Sequence, residues 1–476
     1  MQVSSAECMR EREDLFSAAE YALGVAERLS PEYAEAFIED SYANSYALEQ
    51  GRLNGSSYVR EKGIRIRIIK GKRLYTFSSN DLSEAAIKRL LSRPANFKGV
   101  NTEMSEERIA KDDFKCSEKG SIDGLDMLKE LLIMDKALSR QKYVKFRNIY
   151  GGAGRTINYF INSEGSHIRQ EVPGTTVFAS IIVGNGKETR QRMLNYGTVG
   201  GIAEFEKLGL AEQFTAEAKK SLNVIEKGVS LPKEELAGIR EVIISPEICG
   251  IAAHESVGHP NEADRLFGRE AAQAGTSYLT KDTLGMAIGS REVTLVDKPD
   301  IKGANGFMLY DEEGVKGKEK IIIKNGRQNE LLANREYAKV LGRKSNGSAR
   351  SDSFSNEPLV RMSNTYLEPG RYSLDDLEAE VKNGVRMESF TEWNIDDTRS
   401  FSRYQANEAY IIKNGSADRP VKNFILESKT LDFWKAVRMR TKDFRLYAGS
   451  CGKGEPMQGV NVTMGGPYAL LKFGGE

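Results

Sequence analysis

Histidine is nearly missing from this chain: its 476 residues contain three. That scarcity leaves no room for a Ser-His-Asp site beside any other use of imidazole, and no serine elbow motif is present. Cysteine is hardly more common, at four residues. Cys8, Cys116, Cys249 and Cys451 are far apart and form no short-spaced framework, which argues against a disulfide scaffold and for a reducing, cytoplasmic compartment. Net charge is missing as well. Lys plus Arg (69) almost balances Asp plus Glu (68), for a formal +1, so no global field draws the chain to nucleic acid or an anionic membrane. No apolar run approaches the ~18 residues that a spanning helix needs. The N-terminus carries acids from Glu7 onward and reads as an amphipathic helix rather than an export signal. Phosphate loops are lacking too: "YGGAGR" and "GNGKET" have the glycines of such loops but not the spacing.

What is present is a chain long enough for two cores. The expected fold is α+β in two domains: residues 1–232 mixed helix and strand, and 233–476 a mostly antiparallel, β-rich unit. In the first part, "GIRIRIIKGKRLYTFSS" alternates Ile64, Ile66 and Ile68 with Arg65 and Arg67 and predicts a hairpin with one wet face. A helix is expected over about 122–140, strands over 143–183, and a long helix ending at Gly228, with the domain junction near Pro232. The second part opens with a strand, "REVIIS", that passes directly into a helix: Ser245 is a suitable N-cap, Pro246 suits the first helical position, and Glu247 lies in the first turn.

On or just beyond that helix stand two of the three histidines, in "AAHESVGHP". Neutral imidazole is a common ligand for zinc-like metals, and a carboxylate beside a ligand is placed to take a proton from activated water. His254, Glu255 and His259 supply these parts. The spacing is His-Glu-x-x-x-His, and residues five apart on a regular α-helix diverge by about 140°. Two ligands at that spacing need a π-bulge or a second histidine past the helix end, which Gly258 and Pro260 would favour. A catalytic zinc usually has three protein ligands, so a cysteine or carboxylate is still required. Cys451, in the glycine-dense "SCGKGEPMQGVNVTMGGP", is favoured. Cys249, five residues before His254, would point to another side of the helix and reads as a small buried hydrophobe. For Glu262 and Asp264, holding the imidazoles and lying in a solvated turn are both open. His167 stands alone as a surface or structural residue.

These residues, with "GFMLYDEEGV", "GSARSDSFSNEPLVRMSNTYLEPG" and "NEAYIIKNGSADRPVKN", resemble the TldD/PmbA family of metallopeptidases in order from about 240 to 467, and more loosely through the N-terminal half. The His-Glu-x-x-x-His element places the resemblance on the TldD branch. The resemblance implies zinc held by His254, His259 and Cys451, with Glu255 as general base. It implies unfolded peptides bound as extended strands, and assembly either with a TldE/PmbA-like partner subunit or as a homodimer. The competing readings are a non-catalytic PmbA-like partner and a regulatory protein with a closed structural zinc site, in which Cys249 would enter the coordination sphere. A DNA-binding role finds no basic run or module to support it.

Overall fold

The computed structural model describes residues 5–92, 100–117, 124–269 and 275–474, with the side chains of 5–13 and 100 left aside. The architecture is α+β, with two large sheets that are antiparallel for most of their pairings.

The first sheet has eight strands, in the spatial order 100–101, 73–79, 52–70, 33–49, 144–162, 167–184, 111–115, and strand Thr189–Val199 also pairs with His167–Gly184. Its alternation sorts side chains cleanly. Ala34, Ala36, Ile38, Ile64, Ile66 and Ile68 join Leu15 and Ile87 in one core, under helices Ser5–Glu27 and Glu84–Ser92. Further along the same face, Ile149, Val177, Ala179 and Ile181 pack with Leu131 and Phe214 under helices Gly124–Ser139 and Leu210–Lys227. Period-2 strands thus bury one face against period-3.6 helices, as their sequences require.

The other face departs from expectation. The predicted hairpin forms, with Arg52–Lys70 paired to Arg73–Ser79, but its arginine face is not wet. Arg65 and Arg67 are 0% and 1% exposed. The loop at Asp311–Val315 lies against them: Arg65 Nη2 donates to Glu312 at 2.9 Å and Arg67 Nη2 to Glu313 at 2.9 Å, while Arg67 Nε reaches Glu35 on the neighbouring strand. The charge alternation that normally marks a solvated face marks here a face covered by carboxylates, because guanidinium is the cation best suited to buried, multiply bonded pairing.

The second sheet has eleven strands, in the order 327–328, 320–324, 295–297, 364–367, 458–472, 241–244, 383–395, 401–413, 416–420. Strand Ile425–Lys429 is added to Phe401–Lys413, and strand Val437–Lys453 to Gln458–Lys472. Among the described strand-to-strand pairings of this sheet, 364–366 with 463–465 and 384–387 with 241–244 run parallel. The largest core wraps the helix that leaves strand Glu241–Ile244. Among the described residues no helix is long and apolar enough to cross a membrane.

Candidate metal centre

The helix Pro246–Ala253 starts as the sequence predicts. The Ser245 side chain accepts from Ile248 N–H, and Pro246 occupies the first turn. It lies directly on strand Gln458–Lys472, and the close approach depends on glycine: a Cβ on Gly250 would come within 2.6 Å of the Gly465 backbone nitrogen. Residues His254–Gly258 continue it as a π-turn, with the N–H of His259 bonded to the carbonyl of His254, and His259–Asn261 follow as a 3₁₀ turn. Widening the turn to five residues brings positions 254 and 259 onto one side. Backbone groups disturbed by the change are satisfied locally: Asn261 Nδ2 donates to Val257 O at 2.8 Å, and Ser256 Oγ donates to Ala252 O at 2.6 Å. Gly258 is needed because Met362 fills the space beside it, its sulfur 1.9 Å from where a Cβ would sit.

The two rings meet edge to face, 4.9 Å between centroids. Cys451, on strand Val437–Lys453, completes the group: one donor atom from each of His254, His259 and Cys451 lies within 4.8 Å of the others, all three side chains buried. Cys451 Sγ is 3.3 Å from His259 Nε2. Cys249 lies elsewhere, packed against Gly466 and fully buried, and burial pushes its thiol up to about 12. It is outside the donor group and, protonated, a poor ligand.

The donors have the character that zinc requires. Burial holds the His254 imidazole below its ordinary value, and its Nδ1 is buried with no hydrogen-bond partner among the described residues. Burial alone would raise the Cys451 thiol, but the imidazole of His259 outweighs it and the pKa is lowered, which favours the thiolate. Two imidazoles and a thiol sulfur are a donor set that suits zinc over harder ions.

Glu262 and Asp264 are not solvated, at 0% and 2% exposure. Glu262 Oε2 takes His259 Nδ1 at 2.9 Å, Arg265 Nε at 2.8 Å and Lys453 Nζ at 3.1 Å. Because the Glu262 carboxylate can only accept, His259 Nδ1 is the donor, which leaves the Nε2 lone pair facing Cys451. Lys453 also donates to both oxygens of Asp264 at 2.7 Å. Although burial opposes ionisation, Lys453, His259 and Arg265 hold the Glu262 carboxyl far below its usual range. Lys453 escapes a reading by motif, yet it stands two residues from Cys451 on the same strand, so both side chains enter the same face.

Glu255 lines a cavity of about 730 Å³. Its Oε2 accepts from Arg399 Nη1. Burial would raise the Glu255 carboxyl, but His259, His254 and Arg399 together lower it. Arg399 sits at the turn between strands Asn383–Ile395 and Phe401–Lys413 with φ +64, in the left-handed region that a non-glycine residue rarely holds without a reason. Its carbonyl is fixed by Thr430 Oγ1 at 2.7 Å and its N–H by Asp396 O at 2.9 Å. No sequence signal singles it out. His167, by contrast, remains apart, stacked on Phe16 with centroids 4.1 Å apart.

The α+β fold is shared with TldE from Thermococcus kodakarensis, with a TM-score of 0.73 over 96% of this chain and 99% of that one, at 17% identity. The sequence goes further. It matches three successive segments described as PmbA/TldA metallopeptidase domain 1 over residues 34–93, the central domain over 116–222 and the C-terminal domain over 237–473. It is 30% identical over 452 residues to "Metalloprotease MJ0996" of Methanocaldococcus jannaschii, covering 91% of this chain and 94% of that protein. It is 26% identical over 453 residues to "Zinc metalloprotease TldD homolog" of Saccharolobus solfataricus, covering 94% and 97%. The chain belongs to the PmbA/TldD metallopeptidase family.

Proposed function

We propose that the chain is a zinc-dependent peptidase that hydrolyses unfolded or extended peptides, with His254, His259 and Cys451 as metal ligands and Glu255 as general base. The observation that carries this reading is the buried convergence of those three donors beside a carboxylate that opens onto a cavity. Zinc bound there would supply Lewis acidity, lowering the pKa of water and polarising the scissile carbonyl. Glu255 takes the proton from the attacking water and returns it to the leaving amine. Arg399, bonded to Oε2, fixes the carboxylate beside the cavity and helps keep it ionised, as a base must be. Glu262, anchored by Lys453 and Arg265, holds His259 in the ligating tautomer.

The cavity is bordered by residues 447–450 of the strand that carries Cys451 and that pairs with Gln458–Lys472. A peptide lying along this wall would have to be extended, and so unfolded, and its backbone could be recognised whatever most of its side chains are. The peptidase unit is residues 233–476, joined at Pro232 to the unit 1–232. A TldE/PmbA-like partner subunit or a second copy would complete the assembly. A closed structural zinc site is the weaker reading, since Cys249 stands outside the donor group.

The test is mass spectrometry of a mixed library of unstructured peptides incubated with the zinc-loaded chain and with Glu255→Ala. Cleavage by the first that vanishes in the second supports the enzyme and its base. An inert wild-type chain holding one zinc counts against a self-sufficient peptidase.

A further inference from the structure

The cavity beside Glu255 has a mixed lining in which apolar side chains from both sheets take part. Ile251 lies one helical turn before Glu255, so the two present themselves together on the cavity floor. Phe390 and Trp393 come from strand Asn383–Ile395 of the second sheet. Phe178 and Met193 come from the first. Phe178 is paired with Asn195, so Met193, two residues from Asn195, stands diagonally beside it on the same face. That face is the one turned away from the helices, since Val177 and Ala179 are in the core beneath them. Phe178 and Met193 are 43% and 51% exposed and, side by side on adjacent strands, give the cavity a contiguous apolar patch rather than a single exposed side chain. The wall carries charge too: Glu247 is bound by Arg192 at 2.8 Å and Arg190 by the Lys422 carbonyl at 3.1 Å, while Glu392 stands at the exposed rim.

We propose that this cavity is a specificity pocket for a large apolar side chain, aromatic above all, next to the scissile bond of the peptide. The inference rests on the peptidase reading, because it is Glu255 in the same cavity that makes the occupant a substrate. Two walls from different sheets sandwich a planar ring, and rings gain from offset or edge-on contact with Phe and Trp beyond simple burial. One misfitted methylene in such a pocket is worth about tenfold or more, so phenylalanine should exceed alanine by at least about that factor.

Binding and cleavage are measured separately. In calorimetric titration of the full-length, metal-free chain with acetyl-Gly-Gly-X-Gly-Gly-amide peptides, X = Phe is expected to bind at least about tenfold more tightly than X = Ala. The double variant Phe178→Ala, Met193→Ala should bring that ratio close to one, while Leu53→Ala, an equally exposed residue elsewhere on the first sheet, leaves it intact. Equal binding of the two peptides, or a double variant that keeps the wild-type ratio, overturns the proposal. Cleavage by the zinc-loaded chain then separates the two claims. Indifferent cleavage of all peptides refutes the pocket and leaves the peptidase standing. Selective binding without any cleavage keeps the pocket and removes the peptidase.

Discussion

The metal centre and the seam under the first sheet are built from the same materials, buried carboxylates facing buried cations. At the seam, Glu35, Glu312 and Glu313 meet Arg65 and Arg67, and Glu313 also accepts from the Arg335 backbone at 2.7 Å. At the metal centre, Glu262 and Asp264 meet Lys453 and Arg265. Burial and ion pairing are equal in the two places, so neither identifies a site. What differs is what the charges hold. The seam holds two sheets together: the strand carrying Arg65 and Arg67 on one side, the 311–315 loop on the other. The second network orients a ring whose remaining nitrogen, together with a thiol and a second imidazole, is left for something not made of protein. Unspent donors mark a site better than perturbed charges do.

Breaking each network should therefore have a different signature. The largest effect is expected at the seam. Arg67→Met strands Glu35 and Glu313 without their cation and should lower stability by roughly 3–5 kcal/mol in denaturant unfolding, with zinc affinity unchanged. A loss of zinc affinity in that variant would show that the two regions are not independent. Glu262→Gln should do the reverse, weakening zinc binding about 10–100-fold in a chelator competition while unfolding changes less. Unaltered affinity would mean that Glu262 supports the fold and not the ligand.

A smaller effect is expected beside the seam. Glu39 borders a second cavity, of about 490 Å³, and burial, with Glu312 and Glu61 nearby, lifts its carboxyl to about 7. Its folded value lies above the unfolded value of about 4.3, so the folded state binds the proton more tightly. The stability it contributes is greatest below about pH 4 and declines as pH rises through 7, with no further change above. Glu39→Gln should remove that slope and stabilise the chain by about 1–2 kcal/mol at pH 8, less than full conversion of the shift because the group borders an open cavity. Parallel pH–stability curves for the two chains would rule out a proton on Glu39.

Much of this protein is written locally. Ser245, Pro246 and the apolar run after them set the start of the site helix, and the five-residue spacing of His254 and His259 requires the π-turn that is found. The helices over 124–139 and 210–227 and the long strands follow from their own periodicities, because caps and apolar periods act over a few residues. Its glycine-rich surroundings and the family resemblance single out Cys451, but nothing near it in sequence says that it lies against His259.

The rest was decided by tertiary structure. The burial of Arg65 and Arg67 depends on carboxylates about 250 residues away, at Glu312 and Glu313. Lys453 meets Glu262, and Arg399 meets Glu255, only because the register of the second sheet brings them there. A sequence fixes which groups are charged and how they repeat. Whether a charge faces water or its counter-charge depends on which strands become neighbours, and that is settled only when the sheets close over one another.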